Sequence, residues 1–240
     1  MKPIQVGLLG IGTVGSGTFN VLQRNQEEIK RRAGRGIEIS MVADLDTARA
    51  QQVVGTQARV VSDASAVIAN PDIDIVIELI GGYGVARQLV MEAIEAGKHV
   101  HLDKPGAVDD AEFNRMRLAA EQKGLTVQMG YMLRYNPAFE LLFQAVREGW
   151  LGEITEIDAA MGKLADAGTR SKIGALEGGG LFELGCHVID AVLTILGKPL
   201  AVTAFSTPTG GDGVKDNQMA VLQYAKATAV IRCNHADPFG

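Results

Sequence analysis

The chain has 240 residues, a formal net charge of -5 and 47% hydrophobic residues. That length accommodates one large domain or two of ordinary size, and the apolar share can fill a substantial core. The acidic balance leaves no basic face for nucleic acid. The N-terminus shows no basic-then-apolar leader, and no apolar stretch reaches the ~18 residues of a membrane span, so a cytoplasmic protein without nucleic-acid or membrane partners is expected. The two cysteines, Cys186 and Cys233, are too few for a disulfide framework and are expected as free buried thiols. Adjacent helical residues such as Cys186 and His187 point about 100° apart and do not converge readily with Cys233 and His235 on an ion, so no metal is expected.

Ile4 to Leu9 is an apolar run of strand length, and the segment from Thr13 has the period of an amphipathic helix reaching about Arg32. Between them Gly10, Ile11, Gly12, Thr13, Val14 and Gly15 carry a GxGxxG pattern in the strand-to-helix context that binds dinucleotides. Gly10 permits the tight turn, Gly12 lets the backbone approach a pyrophosphate, and Gly15 allows the helix to pack closely on the strand. Asp44 closes the next strand, IEISMVAD; its carboxylate can accept both ribose hydroxyls and repels a 2'-phosphate, which favours NAD. Arg49 in the following helix leaves NADP open. The other role for Asp44, capping the helix TARAQQVV, is one that Asp46 or Thr47 fills as well.

Further strands ARVVS, DIDIVIELI, KHVHLD and LTVQMG alternate with helices SDASAVIAN, YGVARQLVMEAIEAG and DDAEFNRMRLAAEQKG. Strands nearly continuous in Val, Ile and Leu are covered on both faces by helices, so a doubly wound parallel sheet complete by about residue 130 is expected. Beyond it come a helix NPAFELLFQAVREGWLG, a strand EITEIDAAMG, a charged glycine-rich loop to Gly180, a helix LFELGCHVIDAVLTILG and strands AVTAFSTP, QMAVLQYA and ATAVIRCNH. These predict a second domain over 131–240 with an antiparallel or mixed sheet short of strands, as a truncated domain would be.

Residue chemistry adds a candidate site. Lys104 follows KHVHLD at the strand's carboxyl end, where ligands bind in such sheets, and can stabilise a developing alkoxide. Glu183 and His187 are four residues apart on one expected helical face, with Asp190 three further along. A histidine held by a carboxylate can take a hydroxyl proton. The plainer reading is a helix whose polar residues face solvent. Gly178, Gly179 and Gly180 are expected to let the backbone pass close to substrate or nicotinamide.

Two resemblances bear on these residues. KPIQVGLLGIGTVGSG, NQEEIKRRAGR, DIDIVIELIGG and ARQLVMEAIEAGKHV make residues 1 to about 100 similar to the cofactor domain of homoserine dehydrogenase. AGKHVHLDKPGA, RYNPAFELL, REGWLGEI and GGGLFELGCHVIDAVLTILG make the chain from about residue 98 resemble the Gfo/Idh/MocA oxidoreductases. The resemblances imply an N-terminal Rossmann domain over 1–130 binding NAD or NADP, with Leu79, Gly81 and Gly82 near the cofactor, and a C-terminal α+β domain for substrate and self-association. They imply a cis Lys104–Pro105 bond and a catalytic group of Lys104, Glu183 and His187, with aspartate usual where Glu183 stands. The substrate loop begins at Tyr131, so Arg134, Tyr135 and Asn136, together with Asp190, are the expected substrate contacts.

The implied activity is hydride transfer between a nicotinamide cofactor and a hydroxyl or carbonyl carbon of a sugar, polyol or related small molecule, by a homo-oligomer. Homoserine dehydrogenase activity and a non-catalytic NAD(P)-binding sensor are the alternatives.

Overall fold

The computed structural model describes residues 2–81, 84–107 and 109–236. Two compact units divide the chain, residues 1–130 and 131–240.

In the first unit the strands are β1 (Ile4–Leu9), β2 (Ile37–Ala43), β3 (Arg59–Val61), β4 (Ile75–Glu78), β5 (His99–Leu102) and β6 (Val127–Met129). The helices are α1 (Thr13–Arg24), α2 (Gln26–Ala33), α3 (Thr47–Val54), α4 (Ala64–Ile68), α5 (Val85–Glu95) and α6 (Asp110–Gln122). All strands run parallel in the order β3-β2-β1-β4-β5-β6. The order reverses between β1 and β4, which makes the carboxyl ends of those two strands the ligand crevice of a doubly wound sheet.

Period-two alternation sends β1 side chains to opposite faces. Leu9 joins Val76, Val90 and Ile94 in one core, while Val6 and Leu8 join Phe19, Val42 and Val54 in the other. Gly7 lies under α4, where an added Cβ would come within 2.3 Å of the Val67 side chain.

The helix expected to run from Thr13 to Arg32 is interrupted at Asn25 (φ -106°, ψ 22°). The second piece, α2, has no buried residue and holds itself with surface ion pairs of Glu28 to Arg31 and Arg32. It ends at Gly34 with φ +74°, a left-handed cap.

The second unit opens with a 3-10 turn at Met132–Tyr135, then α7 (Pro137–Arg147), β7 (Glu156–Gly162), α8 (Ala167–Gly174), α9 (Gly179–Glu183), α10 (Cys186–Leu196), β8 (Ala201–Thr207), β9 (Asn217–Gln223) and β10 (Thr228–Asn234). Its sheet is mixed, in the order β7-β10-β9-β8, with β10 parallel to β7 and antiparallel to β9. Ala229 and Ile231 of β10, Ala220 and Leu222 of β9, Val188, Ala191 and Val192 of α10 and Phe143 of α7 form one core on one face of this sheet. The segment expected as a single loop up to Gly180 contains α8. Arg170 of α8 forms a bidentate pair with Asp212 and also pairs with the fully buried Asp216, which fastens α8 to the β8–β9 connection.

The helix expected as one piece from Leu181 is two, broken at Leu184 and Gly185. A Cβ at Gly185 would lie 2.9 Å from the Leu181 Cα, so glycine permits this tight turn.

Candidate functional site

In the first unit the glycine loop joins β1 to α1. Gly10 has φ +88°, and a Cβ there would sit 2.9 Å from the backbone of Leu79 and Ile80. Gly15 is held so near the turn that its Cβ would fall 2.1 Å from the Gly10 carbonyl oxygen. These two glycines therefore serve close packing, as the motif predicts. Gly12 differs: a Cβ would meet nothing within 4 Å. No side chain caps α1 at Gly12, and its first turn carries no acidic residue. Open space over an uncapped helix N-terminus, with Thr13 and Val14 at its first turn, fits the pyrophosphate of a dinucleotide.

Asp44 stands at the end of β2, and its Oδ2 accepts from the Ile11 N–H at 2.8 Å. The cap of α3 is Asp46, whose Oδ1 accepts from the Arg49 N–H at 3.0 Å. Asp44 is thus placed against the glycine loop rather than on the helix. An ionised carboxylate has about four lone-pair sites, so both oxygens keep acceptor capacity for ribose hydroxyls.

Beyond β4, the Glu78 carboxylate is buried, and its Oε1 accepts from the N–H groups of Ile80 (2.7 Å) and Gly81 (3.2 Å). Burial pushes its carboxyl above the usual range, and the nearby Asp103 adds to the effect. Glu78 thereby shapes the loop that follows Leu79, a role missed in the sequence, where its one signal was a carboxylate inside the apolar run DIDIVIELI. Gly82 lies outside the described residues. Lys104 is half-buried just past β5, its bond to Pro105 is cis, and its N–H donates to Asp103 Oδ1 at 2.8 Å.

In the second unit, His187 is buried in the first turn of α10, edge-on to Tyr131 with ring centroids 6.3 Å apart. Arg134 stacks over the same Tyr131 ring at 5.4 Å and pairs with Asp190 through two bonds, Nε to Oδ2 at 2.8 Å and Nη2 to Oδ1 at 2.5 Å. Burial raises the Tyr131 phenol above its ordinary value, with Cys186 and Asp190 contributing. Asp190 therefore holds Arg134, and both of its oxygens are engaged in doing so. Asn136 Oδ1 accepts from the Ala138 N–H at 3.0 Å as the N-cap of α7, and Tyr135 is exposed.

Two expectations change here. Glu183 and His187 do not share one helical face, since Glu183 ends α9 and His187 begins the turn of α10. The hydrogen bonds of the Glu183 carboxylate run to Lys163 Nζ (Oε1, 3.0 Å) and His235 Nε2 (Oε2, 3.2 Å). The glycine triplet also has an internal reason. A Cβ on Gly178 would meet Phe182 at 2.6 Å, one on Gly179 (φ +55°) would meet Gln218 at 2.9 Å, and one on Gly180 would meet the His235 ring at 2.6 Å. Packing within the unit accounts for all three. Among the described residues no group of three or more His, Cys, Asp or Glu is placed to hold a metal ion, and no helix is long and apolar enough to cross a membrane.

A parallel, doubly wound sheet with an open glycine loop and a carboxylate at the end of its second strand defines a dinucleotide-binding α/β protein. Residues 10–129 match the family model described as "Homoserine dehydrogenase, NAD binding domain", and residues 139–240 match the "GFO/IDH/MocA C-terminal domain". The chain belongs to the proteins that carry a homoserine dehydrogenase-type NAD-binding domain, and its second part is similar to the C-terminal domain of the Gfo/Idh/MocA oxidoreductases.

It is 50% identical over 149 residues to homoserine dehydrogenase of Methylobacillus glycogenes, a match covering 62% of this chain and 35% of that protein. To the Bacillus subtilis scyllo-inositol 2-dehydrogenase (NADP(+)) IolW it is 29% identical over 206 residues, covering 84% of this chain and 54% of IolW. Among solved structures, an NAD-binding oxidoreductase from Klebsiella pneumoniae superposes with a TM-score of 0.85 at 23% identity, covering 98% of this chain and 67% of that one. The chain thus spans about a third of the homoserine dehydrogenase and about half of IolW.

Proposed function

We propose that this protein is an NAD-preferring dehydrogenase that moves a hydride between the cofactor and a hydroxyl or carbonyl carbon of a cyclitol, polyol or sugar, working as a homo-oligomer in the cytoplasm. The observation that carries this reading is the buried imidazole of His187 beside the Arg134–Asp190 pair, in a chain whose other unit sets Lys104 at the carboxyl edge of an NAD-binding sheet. The likeness to IolW supports the substrate class. The homoserine alternative draws on relatives matched over about a third of their length, 35% and 29%, while the second part of the chain is similar to the GFO/IDH/MocA C-terminal domain.

The nicotinamide supplies or accepts the hydride when bound. In oxidation, His187 takes the proton of the substrate hydroxyl, and the Lys104 ammonium donates a hydrogen bond to the oxygen as negative charge builds on it. The Glu183 carboxylate stabilises the resulting imidazolium. Arg134, oriented by Asp190, donates to a second hydroxyl or a carboxylate of the substrate. Asp190 acts through Arg134, and Asn136 acts through the cap it forms on α7.

The test is a panel of cyclitols, polyols and sugars, with homoserine among them, offered with NAD and NADP while nicotinamide absorbance is followed. Turnover of a cyclitol or polyol and none of homoserine is the expected result. Turnover of homoserine alone would transfer the function to the first unit's relatives. Cofactor binding without turnover of any panel member would favour the sensor.

A further inference from the structure

The Glu183 carboxylate sits in a partly buried side-chain cluster whose other members, Lys163 and His235, have no role in the function proposed above. Lys163 follows β7, and its Nζ donates to Glu183 Oε1 at 3.0 Å. His235 follows β10, is wholly buried, and places Nε2 3.2 Å from Glu183 Oε2. Main-chain bonds fix the histidine on both sides: its N–H donates to the Asp216 carbonyl and its carbonyl accepts from the Ala165 N–H, each at 2.9 Å. The ring packs on Gly180, where any Cβ would collide with it at 2.6 Å, so the third glycine and the histidine are matched to each other.

The other titratable groups around the cluster are thiols. Cys233 Sγ lies 3.9 Å from His235 Nδ1 and donates to the Gly180 carbonyl at 3.2 Å, while Cys186 stands on α10. Burial pushes the Cys233 thiol up to about 12, so it stays neutral at ordinary pH. A carboxylate facing Nε2 makes that nitrogen the proton-bearing one, so the neutral ring suffices as donor, and Lys163 supplies the charge that balances Glu183.

We propose that Lys163 and His235 are positioning residues that fix the Glu183 carboxylate by both oxygens and keep it ionised, and that this clamp is cut to the length of glutamate. The proposal rests on the role given to Glu183 above. Aspartate at 183 would retract the carboxylate by roughly 1 Å or more, a displacement large enough to matter in a proton network. It would lose the His235 contact, since that ring is wholly buried and its main chain is fixed on both sides, and it would stretch the Lys163 contact. Glu183→Asp is therefore expected to lower activity, although aspartate is the residue usual in the resembled family.

The test combines NMR on the substrate-free full chain with kinetics. Glutamate carboxyl carbon-13 and histidine nitrogen-15 labels are followed against pH, with Glu183→Gln assigning the signals. Lys163→Met is expected to raise the Glu183 titration midpoint by about one pH unit or more, and Lys163→Arg to restore it. Glu183→Asp is expected to shift the His235 ring nitrogens as Glu183→Gln does. An unmoved midpoint in Lys163→Met, or wild-type His235 signals in Glu183→Asp, would overturn the clamp. If a His235→Gln variant does not fold, the Lys163 pair still decides.

With scyllo-inositol and NAD as probes, Lys163→Met should lower kcat about 10- to 100-fold, leave KM for NAD unchanged and move the acid limb of the pH profile upward, with Lys163→Arg recovering all three. A wild-type pH profile in Lys163→Met would also overturn it. Absence of turnover in the wild type would count against the function proposed above, while the NMR measurements would still judge the clamp.

Discussion

In the proposed function, cofactor choice turns on Asp44 and the chemistry on His187. Asp44 accepts the Ile11 N–H at Oδ2 and the Asp46 N–H at Oδ1, while Asp46 itself caps α3, so the Asp44 carboxylate borders the glycine loop and keeps lone pairs for ribose hydroxyls. NAD is therefore expected to bind at least tenfold better than NADP, a gap of about 1.4 kcal/mol, and Asp44→Asn should narrow it. Calorimetric titration checks this, and equal affinities in the wild type would remove Asp44 from the role. For His187→Asn the expected signature is NAD affinity near that of the wild type with turnover reduced by roughly 10² to 10⁴. Lys104→Met should behave alike, and if both residues serve the proposed reaction the double variant should lose less than the sum. Full turnover in His187→Asn would end its assignment as the base.

Among the elements, β10 and α8 carry the clearest consequences. Ile231 and Arg232 are neighbours in the chain on opposite faces of β10: Ile231 is fully buried, while Arg232 forms an exposed pair with Asp158. Ile231→Ala should cost about 2–5 kcal/mol in urea unfolding, and Arg232→Ala below about 1 kcal/mol. Comparable costs would mean that the two faces are not differently packed.

The hydrogen bonds from Arg170 of α8 first, then that from the Val214 N–H and the Arg170 charge, hold the Asp212 carboxyl down from 3.8 to about 2 against its partial burial. A folded-state value below the unfolded one means the pair stabilises above the unfolded value and that this contribution is lost as pH falls from 3.8 through about 2. Arg170→Met should flatten that part of the melting-temperature curve. Identical acid slopes in variant and wild type would show that the pair contributes nothing there.

Much of this element structure was legible. Apolar runs of strand length located the strands of both sheets among the described residues, and in the first unit burial on both faces made those runs nearly continuous. The interruption at Leu184 and Gly185 was not legible, since an apolar run on either side keeps helical period across a two-residue turn. The partners of Glu183 were hidden for another reason: Lys163 and His235 lie 20 and 52 residues away and meet it only through the pairing of β7 with β10. The glycine triplet was noticed but given a ligand, where the demand comes from His235, Gln218 and Phe182.

For the molecule as a whole, the mixed sheet shows helices to one face only. On the other, Phe205 is 54% exposed and pairs in register with Met219, next to Val221 and Val230. An exposed apolar patch bordered by polar residues, here the Arg232–Asp158 pair, is a common association surface, so self-association through it is expected, and light scattering that reports a monomer at high concentration would refute it.

The strand order of that sheet also bears on how the protein is made. Strand β10 is the last strand among the described residues, yet it lies in the interior of the sheet, between β7 and β9. The first unit has all six of its strands once β6 ends at Met129 and can close while synthesis continues. The second unit has no such order of assembly. Until Thr228–Asn234 has left the ribosome, β7 has no partner strand and the β8–β9 hairpin no parallel anchor. Nascent chains stalled before Thr228 should therefore present a protease-resistant first unit followed by an exposed, chaperone-dependent remainder, and the second half should gain resistance in one step as β10 emerges.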